Sequence, residues 1–225
     1  SSIKVLTVFG TRPEAIKLAP VVKALAATDG VESLVCVTAQ HRQMLDQVLT
    51  VFEITPDFDL DIMQAGQGLD YITCAALTGV QKVIRDCRPD RVLVQGDTTT
   101  TFAAALAAFY EKVPVGHVEA GLRTGNVYSP WPEEMNRRMT SVICDLHFPP
   151  TETARQNLRA EGIADDRIMV TGNTVIDALL QAIDIIDASP DLQDRLEKQF
   201  GFIDPGKRLV LTTGHRRENF DGGLK

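Results

Sequence analysis

The chain has 225 residues, 44% of them hydrophobic, and a formal net charge of −7, enough apolar material for one large domain or one and a half. The acidic balance argues against a nucleic-acid or anionic-membrane surface as partner, and the longest apolar run, residues 102–110, falls far short of a bilayer-spanning helix. No charged n-region followed by an apolar core opens the chain, so no signal peptide is expected, and Ser1-Ser2 reads as a tag scar outside the fold.

Residues 3–9 (IKVLTVF) form a continuous apolar run of strand length, as expected of a parallel strand buried on both faces. Gly10 follows, and Thr11 and Glu14 stand in the S/T-x-x-E capping-box relation, so a helix starts here. Its expected core stripe is Leu18, Val21, Val22 and Leu25, with a kink at Pro20. A strand feeding straight into a helix turns backbone N–H groups and the positive dipole end toward the carboxyl edge of the sheet. Arg12 and Lys17 stand near that spot. Neither GxGxxG nor GxxxxGK[ST] is present, so there is no dinucleotide fingerprint and no P-loop.

Residues 31–38 read as a second strand, Gln40-His41-Arg42-Gln43 as its carboxyl-end loop, and residues 44–52 as a helix. A short strand over 58–63 and the loop Ala65-Gly66-Gln67-Gly68 precede a long helix, 69–87, closed by Arg88-Pro89. Strands at 91–95 and 114–118 bracket a helix over 99–111. A helix over 132–144 places Met135, Met139 and Val142 on one face. Then come a strand at 146–148 before Pro149-Pro150, a helix at 151–161, a strand at 167–171 and a helix from Thr174 to about Ile186. Such alternation predicts an α/β fold: a Rossmann-like parallel sheet, built of right-handed βαβ units, flanked by helices.

The tail differs. Residues 189–200 are polar and helical, and 207–213 (KRLVLTT) read as a new buried strand ending in Gly214-His215-Arg216-Arg217-Glu218-Asn219. We therefore expect an N-terminal domain over 1–171, and over 172–225 an interdomain helix and the truncated start of a second Rossmann-like domain. Four cysteines without CxxC or paired-histidine spacing suit core thiols in a reducing cytoplasm, and no metal site is expected.

The chemistry gathers at strand ends. Asp97 follows one apolar strand, Glu119 closes the next, and a Pro-rich corner delivers Glu133 onto the first turn of a helix. Ligands of open α/β sheets sit outside the carboxyl ends of the strands. Three carboxylates there, with Arg123, Arg137 and Arg138 close behind, suit an anionic substrate that undergoes proton transfer. Each residue alone has a plainer reading. Asp97 or Thr98 caps a helix, worth about 1 kcal/mol; Glu133 and Glu134 complement a helix dipole. Trp131 walls a pocket or pins the corner, and His215 with Arg216 binds phosphate or decorates an exposed loop.

Taken together, Gly-Thr-Arg-Pro-Glu-Ala, Gly-Asp-Thr-Thr-Thr, Gly-His-Val-Glu-Ala-Gly-Leu-Arg, Ser-Pro-Trp-Pro-Glu-Glu-Met-Asn-Arg, Thr-Gly-Asn-Thr-Val-Ile-Asp and Gly-His-Arg-Arg-Glu-Asn form an ordered series. The series resembles the bacterial non-hydrolysing UDP-N-acetylglucosamine 2-epimerases over essentially the whole chain. That resemblance implies two Rossmann-like domains in the glycosyltransferase-B arrangement, with the sugar nucleotide between them. It also implies interconversion of UDP-N-acetylglucosamine and UDP-N-acetylmannosamine without a cofactor, by a homodimer. By motif, Asp97, Glu119, Glu133 and His215 would be catalytic, and Arg12, Lys17, Arg137 and Arg216 would bind substrate. Gln40, Gln43 and Gln67 would lie near a second, activating substrate molecule. Other readings are a glycosyltransferase of the same architecture, a hydrolysing relative, and a non-catalytic sugar-nucleotide-binding module.

Overall fold

The computed structural model describes residues 2–39, 42–64, 66–204 and 206–212. Six strands, β1 (Ile3–Phe9), β2 (Val31–Val37), β3 (Phe58–Asp59), β4 (Arg91–Gln95), β5 (Val115–Val118) and β6 (Leu146–Phe148), form one sheet in the order β3-β2-β1-β4-β5-β6. Every pairing is parallel. This is a Rossmann-like α/β domain, and the order reverses between β1 and β4, which makes the crevice at their carboxyl ends the natural ligand position.

The connecting helices are α1 (Arg12–Ala26), α2 (Arg42–Val51), α3 (Leu69–Cys87), α4 (Thr99–Tyr110), α5 (Glu133–Ile143) and α6 (Glu152–Ala160). The main core joins Leu6, Val8, Val92, Val94 and Val115 of the strands to Val80 and Ile84 of α3 and to Ala104, Ala105, Ala107 and Ala108 of α4. The alanines let α4 lie close on the sheet. α3 ends where Arg88 turns left-handed (φ 48°) and returns its N–H to the Ile84 carbonyl, and Pro89 then forbids continuation. α1 runs through Pro20 as one helix. Leu18 and Val22 are buried, whereas Val21 and Leu25 line an open apolar groove with Val5, Leu93, Val118 and Phe148.

Two compact units divide the chain, residues 1–182 and 183–225. α7 (Thr174–Asp187) begins in the first unit; α8 (Pro190–Gln199) lies in the second and is capped by the Ser189 hydroxyl, which accepts from Leu192 N. Among the described residues no helix is long and apolar enough to cross a membrane.

Three expected strands are corrected. The predicted 58–63 strand shrinks to Phe58–Asp59, because Asp61 takes a left-handed φ of 44°. The predicted 167–171 strand is a single bridge from Ile168 to His147, after a 3-10 turn at Asp165–Arg167. Its partner β6 stops before Pro149-Pro150, which lack the N–H groups to continue a ladder. The predicted strand 207–213 does not form over its described part: Leu209, Val210 and Leu211 are exposed and pair with no described strand.

Candidate active site

Two loops flank the crevice, one after β1 and one after β4. Gly10 opens the first. A side chain there would enter the space where the Thr38 and Thr100 hydroxyls meet at 3.0 Å. Glu14, on the first turn of α1, is 1% exposed. Its Oε2 accepts from the N–H groups of Gly10 (3.1 Å) and Thr11 (2.8 Å), forming the carboxylate half of the expected capping box. Its Oε1 accepts from the Thr98 hydroxyl on the opposite loop (2.7 Å) and lies 3.0 Å from the Thr101 hydroxyl oxygen on the first turn of α4. The Gly10 and Thr11 N–H groups are therefore already satisfied, which leaves the start of α1 a weaker anion site than the sequence suggests.

The backbone around Asp97 is fixed from three sides. Gly96 takes a φ of +74°, a conformation open to glycine. Three successive carbonyls then accept side-chain donors: Gln95 from Thr101 Oγ1 (2.7 Å), Gly96 from His117 Nε2 (2.7 Å) and Asp97 from Asn136 Nδ2 (3.0 Å). A carbonyl only accepts, so His117 carries its proton on Nε2. Burial pushes the His117 pKa down to about 3, against the pull of the Gly96 hydrogen bond, and the ring is neutral. The Asp97 carboxylate pairs with Arg137 (3.0 Å). Burial pushes its pKa up to about 6; Arg137 draws it down, while the charges of Glu133 and Glu119 add to the rise.

Glu119 follows β5 with a left-handed φ of 61°, a conformation that costs a non-glycine residue about 1 kcal/mol or more. Its carboxylate receives Lys17 Nζ at 2.6 Å on both oxygens, Gln95 Nε2 at 3.0 Å and Asn173 Nδ2 at 3.3 Å. Glu133 starts α5, and its buried Oε2 has no hydrogen-bond partner among the described residues. Glu134 beside it is fully buried and accepts from Thr124 N, Gly125 N and Arg138 Nε. Burial alone would raise its pKa, but these donors and the Arg137 charge outweigh it and the net shift is downward.

α5 inverts the usual amphipathic rule. Its buried residues are Glu134, Asn136, Arg137, Thr140 and Ser141, while Met135 and Val142 are exposed. Glu134, Asn136 and Arg137 turn inward because each meets an opposite charge or a hydrogen-bonding partner there, the condition for burying a polar side chain.

The three predicted carboxylates thus share one site with Lys17 and Arg137, while Arg12 is exposed at the first turn of α1. Arg123 and Arg138 leave the expected anion-binding set. Arg123 makes a two-pronged pair with Glu161 at 2.7 Å, and Arg138 is taken by Glu134. Trp131 is exposed. Gln43 is exposed on α2; Gln67 accepts from Gln64 N in the segment before α3. These two stretches are adjacent, since Arg42 N lies 3.5 Å from Met63 Sδ. Gln40, His215 and Arg216 lie outside the described residues. Sequence reasoning missed Gln95, His117, Asn136 and Asn173 as supports of the acids, and it gave Glu14 and Glu134 only helix-end roles. A polar residue inside an apolar strand, as at Gln95 and His117, was the available signal.

The switch-point crevice, with its carboxylates paired to Lys17 and Arg137, defines a Rossmann-like α/β domain. The UDP-N-acetylglucosamine 2-epimerase family model matches residues 23–225, and the chain belongs to that family. It is 60% identical over 223 residues to the UDP-N-acetylglucosamine 2-epimerase of Yersinia pestis, covering 99% of this chain and 59% of that protein. The crystal structure of UDP-GlcNAc 2-epimerase from Neisseria meningitidis bound to UDP-GlcNAc matches at a TM-score of 0.85 and 56% identity, over 90% of this chain and 55% of that one. The Methanocaldococcus jannaschii enzyme in complex with UDP-GlcNAc and UDP matches at 0.80 and 36% identity, over 87% of this chain and 54% of that one. The chain thus spans little more than half the length of these relatives.

Proposed function

We propose that the complete gene product containing this chain interconverts UDP-N-acetylglucosamine and UDP-N-acetylmannosamine. The observation that carries the reading is the convergence of Asp97, Glu119 and Glu133 with Lys17 and Arg137 at the carboxyl ends of β4 and β5. The C2–H bond of an N-acetylhexosamine has no neighbouring carbonyl, so it becomes acidic only as the C1–O bond to UDP breaks. A carboxylate takes the C2 proton, the electron pair of that C–H bond forms the C1=C2 double bond, and UDP leaves with the C1–O pair. On return, an acid protonates the opposite face of C2 and a UDP oxygen adds to C1. Acids on more than one side of the sugar suit this demand, by analogy with the paired carboxylates around the cation-like centre of glycosidases.

In this reading Asp97, Glu119, Glu133 and His215 act at the sugar, and Arg12, Lys17, Arg137 and Arg216 meet the diphosphate. Gln40, Gln43 and Gln67 serve an activating substrate molecule. Residues 1–171 supply one wall of the cleft, and 172–225 lead into the second domain of a glycosyltransferase-B-type pair. A homodimer working in the cytoplasm, without nucleic acid, membrane or cofactor, completes the proposal; the four free cysteines suit a reducing compartment. Turnover of UDP-N-acetylglucosamine in D2O should place deuterium at C2 of the product, read by NMR, with no added nicotinamide. Release of free N-acetylmannosamine would point to the hydrolysing reaction, and full conversion without deuterium at C2 would overturn elimination and re-addition.

A further inference from the structure

Glu14 is a fully buried carboxylate that the proposed chemistry does not use. Three donors converge on it, two N–H groups from the β1–α1 turn and the Thr98 hydroxyl from the loop after β4, and the Thr101 hydroxyl oxygen on α4 lies 3.0 Å from it. The first turn carries Arg12, and Lys17 lies one helical turn on; the second carries Asp97. One further bond passes the constraint onward: the Thr101 hydroxyl, whose oxygen packs 3.0 Å from Glu14 Oε1, donates to the Gln95 carbonyl two residues before Asp97. We propose that Glu14 is a positioning residue that sets the spacing between the cations on α1 and the Asp97 carboxyl across the switch point. The inference rests on the reading of Asp97 and Lys17 as parts of the active site.

Spacing and charge make different predictions. In Glu14→Gln the amide oxygen can still accept from Gly10 and Thr11, and its NH2 can donate to the Thr98 or Thr101 oxygen once that hydroxyl proton turns away. The length of the clamp is kept. Glu14→Asp keeps the charge but is one methylene too short to reach both loops. Thr101→Val is isosteric and cuts the link between the clamp and the Gln95 carbonyl, while leaving the Thr98–Glu14 bond and the α1 cap in place.

The experiment measures kcat and KM of the complete gene product, together with the carbon-13 NMR titration of the Asp97 carboxyl in the 225-residue chain, for the three variants. Glu14→Gln should keep kcat and the Asp97 midpoint close to wild type. Glu14→Asp and Thr101→Val should lower kcat, by up to about 10²-fold for a displacement near 1 Å, and should shift the Asp97 midpoint, with KM little changed. Damage to Gln equal to that of Asp would show that charge matters and overturn the spacing argument. A lower melting temperature with normal kcat and an unmoved Asp97 midpoint would reduce Glu14 to a structural residue. If wild type fails to epimerise, the proposed function falls. The Asp97 titration still decides the clamp, since it needs no turnover.

Discussion

At Asp97 the cost of burying a charge lifts the carboxyl from its ordinary 3.8 to about 6, and two measurements follow. The pH profile of kcat/KM should contain an ionisation near 6 that Asp97→Asn removes along with most of the activity, about 10²–10⁴-fold. Because the folded pKa is raised, the stability this group contributes is full below its unfolded value and is lost as pH rises through the folded one. The stability of wild type relative to Asp97→Asn should therefore fall between pH ~4 and pH ~7, checked by urea unfolding at both. Glu119→Gln should likewise cut kcat by about 10²-fold or more, since it breaks the charge pairing with Lys17. His117, held far below its usual range by burial, should show no ring titration by nitrogen-15 NMR between pH ~5 and ~8. The acids were legible in the chain as carboxylates after apolar strands. Their partners were not, because Lys17 and Glu119 are 102 residues apart and only the β1–β4–β5 order brings them together.

At the scale of elements, the carboxyl end of β5 depends on a close approach. Gly121 has a φ of +87°, and a methyl group there would collide with the Ala154 carbonyl at the start of α6. Gly121→Ala should destabilise the fold by roughly 2–4 kcal/mol, combining left-handed strain with overpacking, and a wild-type urea midpoint would contradict this. α3 and α4 lie close to their expected bounds because apolar periodicity and caps act locally. The inward face of α5 was not readable, since its periodicity favoured the Met135–Met139–Val142 stripe. Burial there follows the partners of Glu134, Asn136 and Arg137, and those partners come from other elements.

At the scale of the whole molecule, residues 206–212 are exposed and form neither helix nor strand. Trypsin should cut first at or beyond Lys207, leaving the six-stranded sheet unit intact by mass spectrometry; a first cut inside that unit would contradict the division of the chain. The sequence by itself determined the alternation of strands and helices, the parallel sheet and the acids at its carboxyl ends, since strand burial and helix capping are written in neighbouring residues. Its motifs also carried the family. Only the tertiary structure decided that Glu14 accepts hydrogen bonds from two loops, that Lys17 and Arg137 face Glu119 and Asp97, and that 207–212 have no strand partner among the described residues. Ion pairs across a sheet and strand ladders are contacts between distant segments, and no local pattern encodes which segment will arrive.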